Sequence, residues 1–254
     1  MPDEVTERNA PRLDGAALAG KIAVVTGGGR GIGRAVALSL AELGADIAVC
    51  ARSRREIDAV AEQIRGLGRC GLAVTCDVSD ERQVHDLAAQ VTAELGPVDI
   101  LINNAGALKE AALLDTSIDD WDRLMAVNLR GVFLCCKAFA PAMLERRSGT
   151  IINIASNAGK KPYFNQGAYT ASKYGVVGLT KVLAWELREL NIRVSAVCPG
   201  GVNTKLVADA RPQLDASEWM RPEDVARAVV FIASLPPNVA VDELVVRRFA
   251  AEVD

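Results

Sequence analysis

The chain has 254 residues, half of them hydrophobic, with 29 basic against 32 acidic side chains and a net charge of −3. That length suits one large α/β domain or two small ones, and that apolar content allows a sizeable core. So even a charge balance supplies no strong field for nucleic acid or an anionic membrane, and no apolar run looks long enough to cross a bilayer.

Residues 1–18 are polar and aperiodic and read as a tail. The opening Met1-Pro2-Asp3-Glu4 is not a secretory signal. Short β-branched runs follow at 21–26, 46–51, 70–75, 98–103, 149–155, 192–198 and 241–247. Amphipathic stretches of helical period separate them, near 32–43, 54–67, 80–95, 119–147, 168–190 and 222–234. The strand runs are almost continuously apolar, as in Ile100-Leu101-Ile102, which is the pattern of a parallel sheet covered on both faces. Strict β-α alternation predicts a doubly wound α/β fold with right-handed crossovers. No composition shift marks a boundary, so 19–254 reads as a single domain. The longest irregular piece, roughly 199–221, has the length of a lid or binding loop. The six cysteines (50, 70, 76, 135, 136, 198) lack metal-ligand spacing and read as buried, reduced thiols of a cytoplasmic protein. His85, the single histidine, falls in a charged helical stretch and reads as a surface residue, against a Ser-His-Asp or His-metal mechanism.

The first strand runs into Thr26-Gly27-Gly28-Gly29-Arg30-Gly31-Ile32-Gly33. Glycines there permit a tight turn and bring backbone N–H groups close to a phosphate at a helix N-terminus. The spacing is neither G-x-G-x-x-G nor a P-loop, because Ile32 breaks the first and Arg34-Ala35 the second. Taken alone, the segment is equally a structural turn. The second strand ends in Cys50-Ala51-Arg52-Ser53-Arg54-Arg55, with no acid to meet a ribose 2′-hydroxyl until Glu56. Arg52 with Arg30 would suit a 2′-phosphate; Arg54 and Arg55 read as a solvated helix start. Asp77 reads either as an acceptor for an adenine amino group or as a turn or N-cap aspartate. Asn103-Asn104-Ala105-Gly106 would admit a ribose close to the backbone, or is a plain Asn/Gly turn. Tyr169 and Lys173 stand four apart, one helical turn, on one face. An ammonium so placed should lower the phenol below its usual pKa of about 10 and make it an acid or base near neutrality.

As a set, Thr26-Gly27-x-x-x-Gly31-x-Gly33, Asp77, Asn103-Asn104-Ala105-Gly106, Asn128, Ser156, Tyr169-x-x-x-Lys173 and Pro199-Gly200-x-Val202-x-Thr204 resemble the short-chain dehydrogenase/reductase family, from about Gly20 to Thr204. The chain looks most like single-domain members of the 3-oxoacyl-(acyl-carrier-protein) reductase type. The resemblance implies a seven-stranded parallel Rossmann sheet of order 3-2-1-4-5-6-7, with nicotinamide at the strand C-terminal ends. It implies NADP(H) in preference to NAD(H), from Arg30 and Arg52. It implies Tyr169 as acid or base, Lys173 beside it and on the ribose, Ser156 as oxyanion donor, and Asn128 holding a relay water. The cofactor contacts it implies are Gly27, Gly31, Ile32, Gly33, Asp77, Val78, Asn104, Ala105, Gly106, Pro199, Gly200, Val202 and Thr204 beside Tyr169 and Lys173; it implies no metal. The implied substrate is a small carbonyl or alcohol compound, thioester-linked ones included, and the implied assembly a homotetramer or homodimer built through the two long helices. The ending, Val239 to Phe249, lacks the Gly-Gly pair common in carrier-protein reductases and is closer to hydroxy-acid or general carbonyl dehydrogenases of the family. A non-catalytic dinucleotide-binding regulator is disfavoured, since both Tyr169 and Lys173 are kept.

Overall fold

The structure is a computed structural model and describes residues 17–251. The expected tail therefore lies outside the described residues up to 16. Leu18, counted in that tail, is buried at 4% exposure and its N–H bonds Leu43 O at 2.8 Å, so the packed region starts before residue 19.

Seven parallel strands form one sheet in the order β3-β2-β1-β4-β5-β6-β7. They are β1 Ile22–Thr26, β2 Asp46–Ala51, β3 Gly71–Thr75, β4 Ile100–Asn103, β5 Gly149–Ile154, β6 Ile192–Pro199 and β7 Glu243–Val246. The helices are α1 Gly31–Glu42, α2 Arg54–Gly66, α3 Glu81–Glu94, α4 Ile118–Met125, α5 Gly131–Arg146, α6 Gly167–Leu187, α7 Lys205–Ala210 and α8 Pro222–Ala233. Side chains alternate across the sheet, so each strand feeds both faces. Val25, Ile47 and Ile102 pack with Val36 and Leu40 of α1, Ile57 and Ile64 of α2 and Val229 of α8. Val24, Leu101 and Ile151 pack with Leu87 of α3, Phe139 of α5 and Val176 of α6. Both faces being covered is the physical reason the strand runs read as continuously apolar.

Four details depart from the sequence reading. The piece at 199–221 contains a six-residue helix, α7, capped by the Thr204 side chain on the N–H of Val207. The helix expected over 119–147 is interrupted by a π-turn at Ala126–Arg130 that joins α4 to α5. This continuous helix, 118–146, is long and apolar enough to span a bilayer by length and composition, contrary to expectation. Its apolar side packs on the sheet, with 44% of the most hydrophobic stretch buried, as a core helix does. Finally, five cysteines are buried but Cys70, at the entry to β3, is exposed.

One close approach sets the geometry of the sheet's central edge. A Cβ on Gly33 would lie 2.3 Å from Gly27 O and 2.4 Å from Asn104 Nδ2. Gly33→Ala should therefore lower stability by about 1–3 kcal/mol through overpacking against backbone. Gly66→Ala, with open space around it at the end of α2, should be neutral or slightly stabilising. Chemical denaturation of the two variants checks this; equal stabilities would show that the turn yields freely.

Candidate active site

A crevice of about 640 Å³ crosses the C-terminal ends of the strands, between the glycine turn after β1 and the loops that follow β4, β5 and β6. Its floor begins with a clasp between β1 and β4. The Thr26 hydroxyl accepts from Asn104 N–H and Ala105 N–H, both at 3.0 Å, while Asn104 Nδ2 donates to Thr26 O and Gly27 O. Gly27 has φ +62° with Ala105 Cα 2.9 Å from where its Cβ would be, and Gly31 has φ +54°. These two positions need glycine. The turn delivers the N-terminus of α1 into the crevice with no side-chain cap on it. Its leading N–H groups keep their hydrogen-bonding capacity for an anion.

Along this wall stand Arg30, Arg52, Asp77 and Val78. Arg30 pairs with Glu56 at 3.6 Å, and Glu56 itself lines the crevice. Asp77 Oδ1 accepts from Ser79 N–H and Oγ at 3.0 and 2.7 Å, so it is a turn aspartate as well as a crevice residue. Asp80 is the N-cap of α3, accepting from Arg82 and Gln83 N–H.

At the other end, Ser156, Tyr169 and Lys173 line the crevice together with Pro199, Gly200, Val202 and Thr204. Lys173 is buried, at 4% exposure, and its Nζ donates to Ile154 O at 2.9 Å. Burial pulls its ammonium down to about 8, against a small opposing effect of Cys198. Tyr169 goes the opposite way from the sequence expectation. Burial pushes its phenol above the ordinary value, and a hydrogen bond with Ser156 only partly opposes this. The ammonium lies 5.7 Å from the ring centroid and spends a donor on the main chain, so desolvation outweighs it here.

Two residues expected at the site stand behind it. Gly33 does not line the crevice; it lets α1 sit against the glycine turn. Asn128, fully buried in the π-turn, accepts from Ala107 N–H at 2.7 Å and donates to Ala107 O at 2.9 Å and Ser172 Oγ at 3.0 Å. Its amide clamps the loop after β4 to α6, and a π-turn aims it there where a regular helix would not. Every other expected site residue lines the crevice.

Sequence reasoning missed several lining residues. Asn157 donates to the Tyr163 hydroxyl at 2.5 Å. Gln166 donates to Glu110 Oε1 at 2.8 Å, and Arg211, at the end of α7, binds the same carboxylate. Burial alone would raise the Glu110 carboxyl, but the bonds from Arg211 and Gln166 outweigh it and hold it below its ordinary value. This bridge ties the segment after β6 to the loop after β4 beside the crevice. Arg247 and Arg248 return from beyond β7. Asn157, Gln166, Arg211, Arg247 and Arg248 carry no motif signal. Among the described residues no group of His, Cys, Asp or Glu could hold a metal ion.

The glycine cradle, the bare helix terminus and the length of the crevice fit a dinucleotide. Comparison with known proteins agrees. A family model described as short chain dehydrogenase matches residues 21–215. The chain is 38% identical over 223 residues to a 3-oxoacyl-(acyl-carrier-protein) reductase of Staphylococcus aureus, covering 84% of this chain and 91% of that one. The crystal structure of a metagenomic short-chain oxidoreductase in complex with NADP superposes with a TM-score of 0.81 at 38% identity, over 91% of this chain and 98% of that one. An alcohol dehydrogenase from Thermococcus sibiricus, complexed with 5-hydroxy-NADP, gives a TM-score of 0.86 at 28% identity, over 92% and 99%.

The buried ammonium has a measurable consequence. With its proton affinity lowered on folding, residue 173 binds fewer protons in the folded than in the unfolded chain between about pH 8 and its ordinary value near 10.5. Stability contributed through this group therefore rises with pH across that window. The unfolding free energy of Lys173→Met minus that of wild type should fall by roughly 1–2 kcal/mol between about pH 7.5 and about pH 9.5. Urea titrations at the two pH values check this; a constant difference would mean that residue 173 keeps an ordinary pKa.

Proposed function

The chain belongs to the short chain dehydrogenase family and is an oxidoreductase, and from that premise we propose that it is an NADP(H)-dependent reductase of ketones, 3-oxoacyl compounds or related oxo substrates. The observation that carries this is a single crevice that joins an uncapped helix terminus and two arginines at one end to Ser156, Tyr169 and buried Lys173 at the other.

When bound, the nicotinamide supplies hydride exchange with a carbonyl or carbinol carbon. The residues of this chain supply everything else. The N-terminus of α1 and the glycine turn receive the pyrophosphate. Arg52 and Arg30 receive the 2′-phosphate, and Glu56 keeps the Arg30 guanidinium at that end of the crevice. Ser156 donates to the carbonyl oxygen as charge develops on it. Tyr169 gives its phenolic proton to the same oxygen; burial keeps that proton in place at neutral pH, which suits the acid role in reduction. Lys173 remains charged below about pH 8 and stabilises the phenolate left behind. The side chain of Asn128, bonded to Ala107 and Ser172, fixes the loop after β4 against α6 and so positions the crevice wall beside Lys173. General carbonyl or hydroxy-acid dehydrogenation is the alternative reading, favoured by the absence of a Gly-Gly pair at the end of the chain.

Tyr169→Phe should lower kcat/KM for ketone reduction by about 10²–10⁴-fold while NADPH binding holds within a factor of about two. Steady-state kinetics with a panel of ketones and 3-oxoacyl thioesters, alongside fluorescence titration of NADPH, measures both. An unchanged rate would remove Tyr169 from the chemistry. Arg52→Asp should weaken NADPH relative to NADH by roughly tenfold or more, the loss of one charge-assisted hydrogen bond of about 1.5–3 kcal/mol. An unchanged ratio of dissociation constants would place the phosphate contact elsewhere.

A further inference from the structure

The crevice is electrostatically lopsided. Among the described residues its only lining carboxylates, Glu56 and Asp77, stand on α2 and after β3, on the β3-β2 side of the sheet. The β6-β7 side is lined by cations. Two of them, Lys205 and Arg211, already hold an acid, Asp209 and Glu110, as does Arg123 of α4 with Asp120. Arg247 spends one guanidinium nitrogen on the carbonyls of Arg248, Phe249 and Ala251, which curls residues 248–251 around it with Ala251 at the crevice wall. Arg248 remains. Among the described residues it makes no ion pair, and its guanidinium lies 5.1 Å from the centroid of Trp219.

A run of close packing ties Arg248 to the reacting end. Ser156 Oγ donates to Pro199 O at 3.5 Å. The next residue, Gly200, approaches Asn157 and Arg247 so closely that a Cβ there would lie 3.2 and 3.4 Å from them. Trp219 lies flat on Gly201, with its ring 2.6 Å from where a Cβ would be. Arg248 faces that ring from the other segment. An indole that supports a guanidinium fixes its plane at little entropic cost and leaves its N–H fork for an oxyanion.

We propose that Arg248, held by Trp219, recognises an acidic group on the substrate, so that the preferred carbonyl compounds are anionic ones. This rests on the reductase reading above and narrows it. The shared chemistry is a carboxylate or phosphate oxyanion. It comes either from a free oxo acid or from the phosphate of a phosphopantetheine thioester, and the two sources are separable.

The test compares matched pairs with NADPH: an oxo acid against its methyl ester, and a 3-oxoacyl thioester of pantetheine 4′-phosphate against that of pantetheine. Wild type should favour the charged member of one pair by tenfold or more in kcat/KM, carried by KM, and the pair that shows it names the source. Arg248→Gln should bring that ratio to about one, and Arg248→Lys should retain part of it. A wild-type ratio near one in both pairs overturns the proposal, as does a ratio that Arg248→Gln leaves intact. Calorimetry of the hydroxy acid and its amide with the NADP-loaded protein gives the same comparison without turnover. Failure to reduce any compound, with selective binding of the acid lost in Arg248→Gln, would sink the reductase reading and leave the anion site standing. Reduction of both neutral members with no charge preference would do the reverse.

Discussion

The rest of the site depends on an ammonium placed where water does not reach. Lys173 lies under the crevice with its Nζ on a strand carbonyl, Ile154 O. A buried charge without partners is costly, and here the cost appears as a pKa drawn down to about 8. Nothing in helix α6 requires this; a lysine at that position reaches solvent in most amphipathic helices. The structure accepts it because β5 ends at Ile154 and leaves its last carbonyls facing the helix. The sheet's edge and one helical turn thus hold a charge near the phenol, at a position set by backbone rather than by a flexible surface pair.

The clasp between β1 and β4 sets the opposite end. Thr26 and Asn104 satisfy each other's backbone groups, and Gly27 and Gly33 let the chain pass within contact distance. The first N–H groups of α1 carry no side-chain cap, so this terminus is open to the crevice and able to meet an anion there.

The architecture was legible from residue pattern because parallel strands covered on both faces write themselves as apolar runs, and each strand boundary fell within two residues of the observed one. The crevice residues were legible through joint motif spacing. Other features were not, for identifiable reasons. Asn128 looked like a misplaced helix residue, and only the π-turn explains which way it points. The direction of the Tyr169 shift depends on desolvation, which spacing does not encode. Gly33 serves packing where the pattern suggested ligand contact. Arg211 and Arg248 come from segments without periodicity and Arg247 from the end of a strand run, and none of them carries a motif that marks the site.

These pieces divide the labour along one groove. The groups proposed to hold a dinucleotide lie on the β3-β2-β1 side, those proposed to handle protons on α6 and after β5, and Lys205, Arg211, Arg247 and Arg248 on the β6-β7 side. Between the ends, part of the wall is built from small residues, Ala105, Gly106, Ala155 and Gly200. Hydride exchange needs the reacting carbons in contact, and small side chains let them approach. The Arg211–Glu110 bridge ties the segment after β6 to the loop after β4, and Arg248 takes no part in it. A substrate can then place its carbonyl in the narrow section and keep an acidic group at the rim, where the charge stays partly hydrated and the guanidinium need only orient it. Binding energy collected at the rim is then available to position the reacting carbon without burying a second charge beside Lys173.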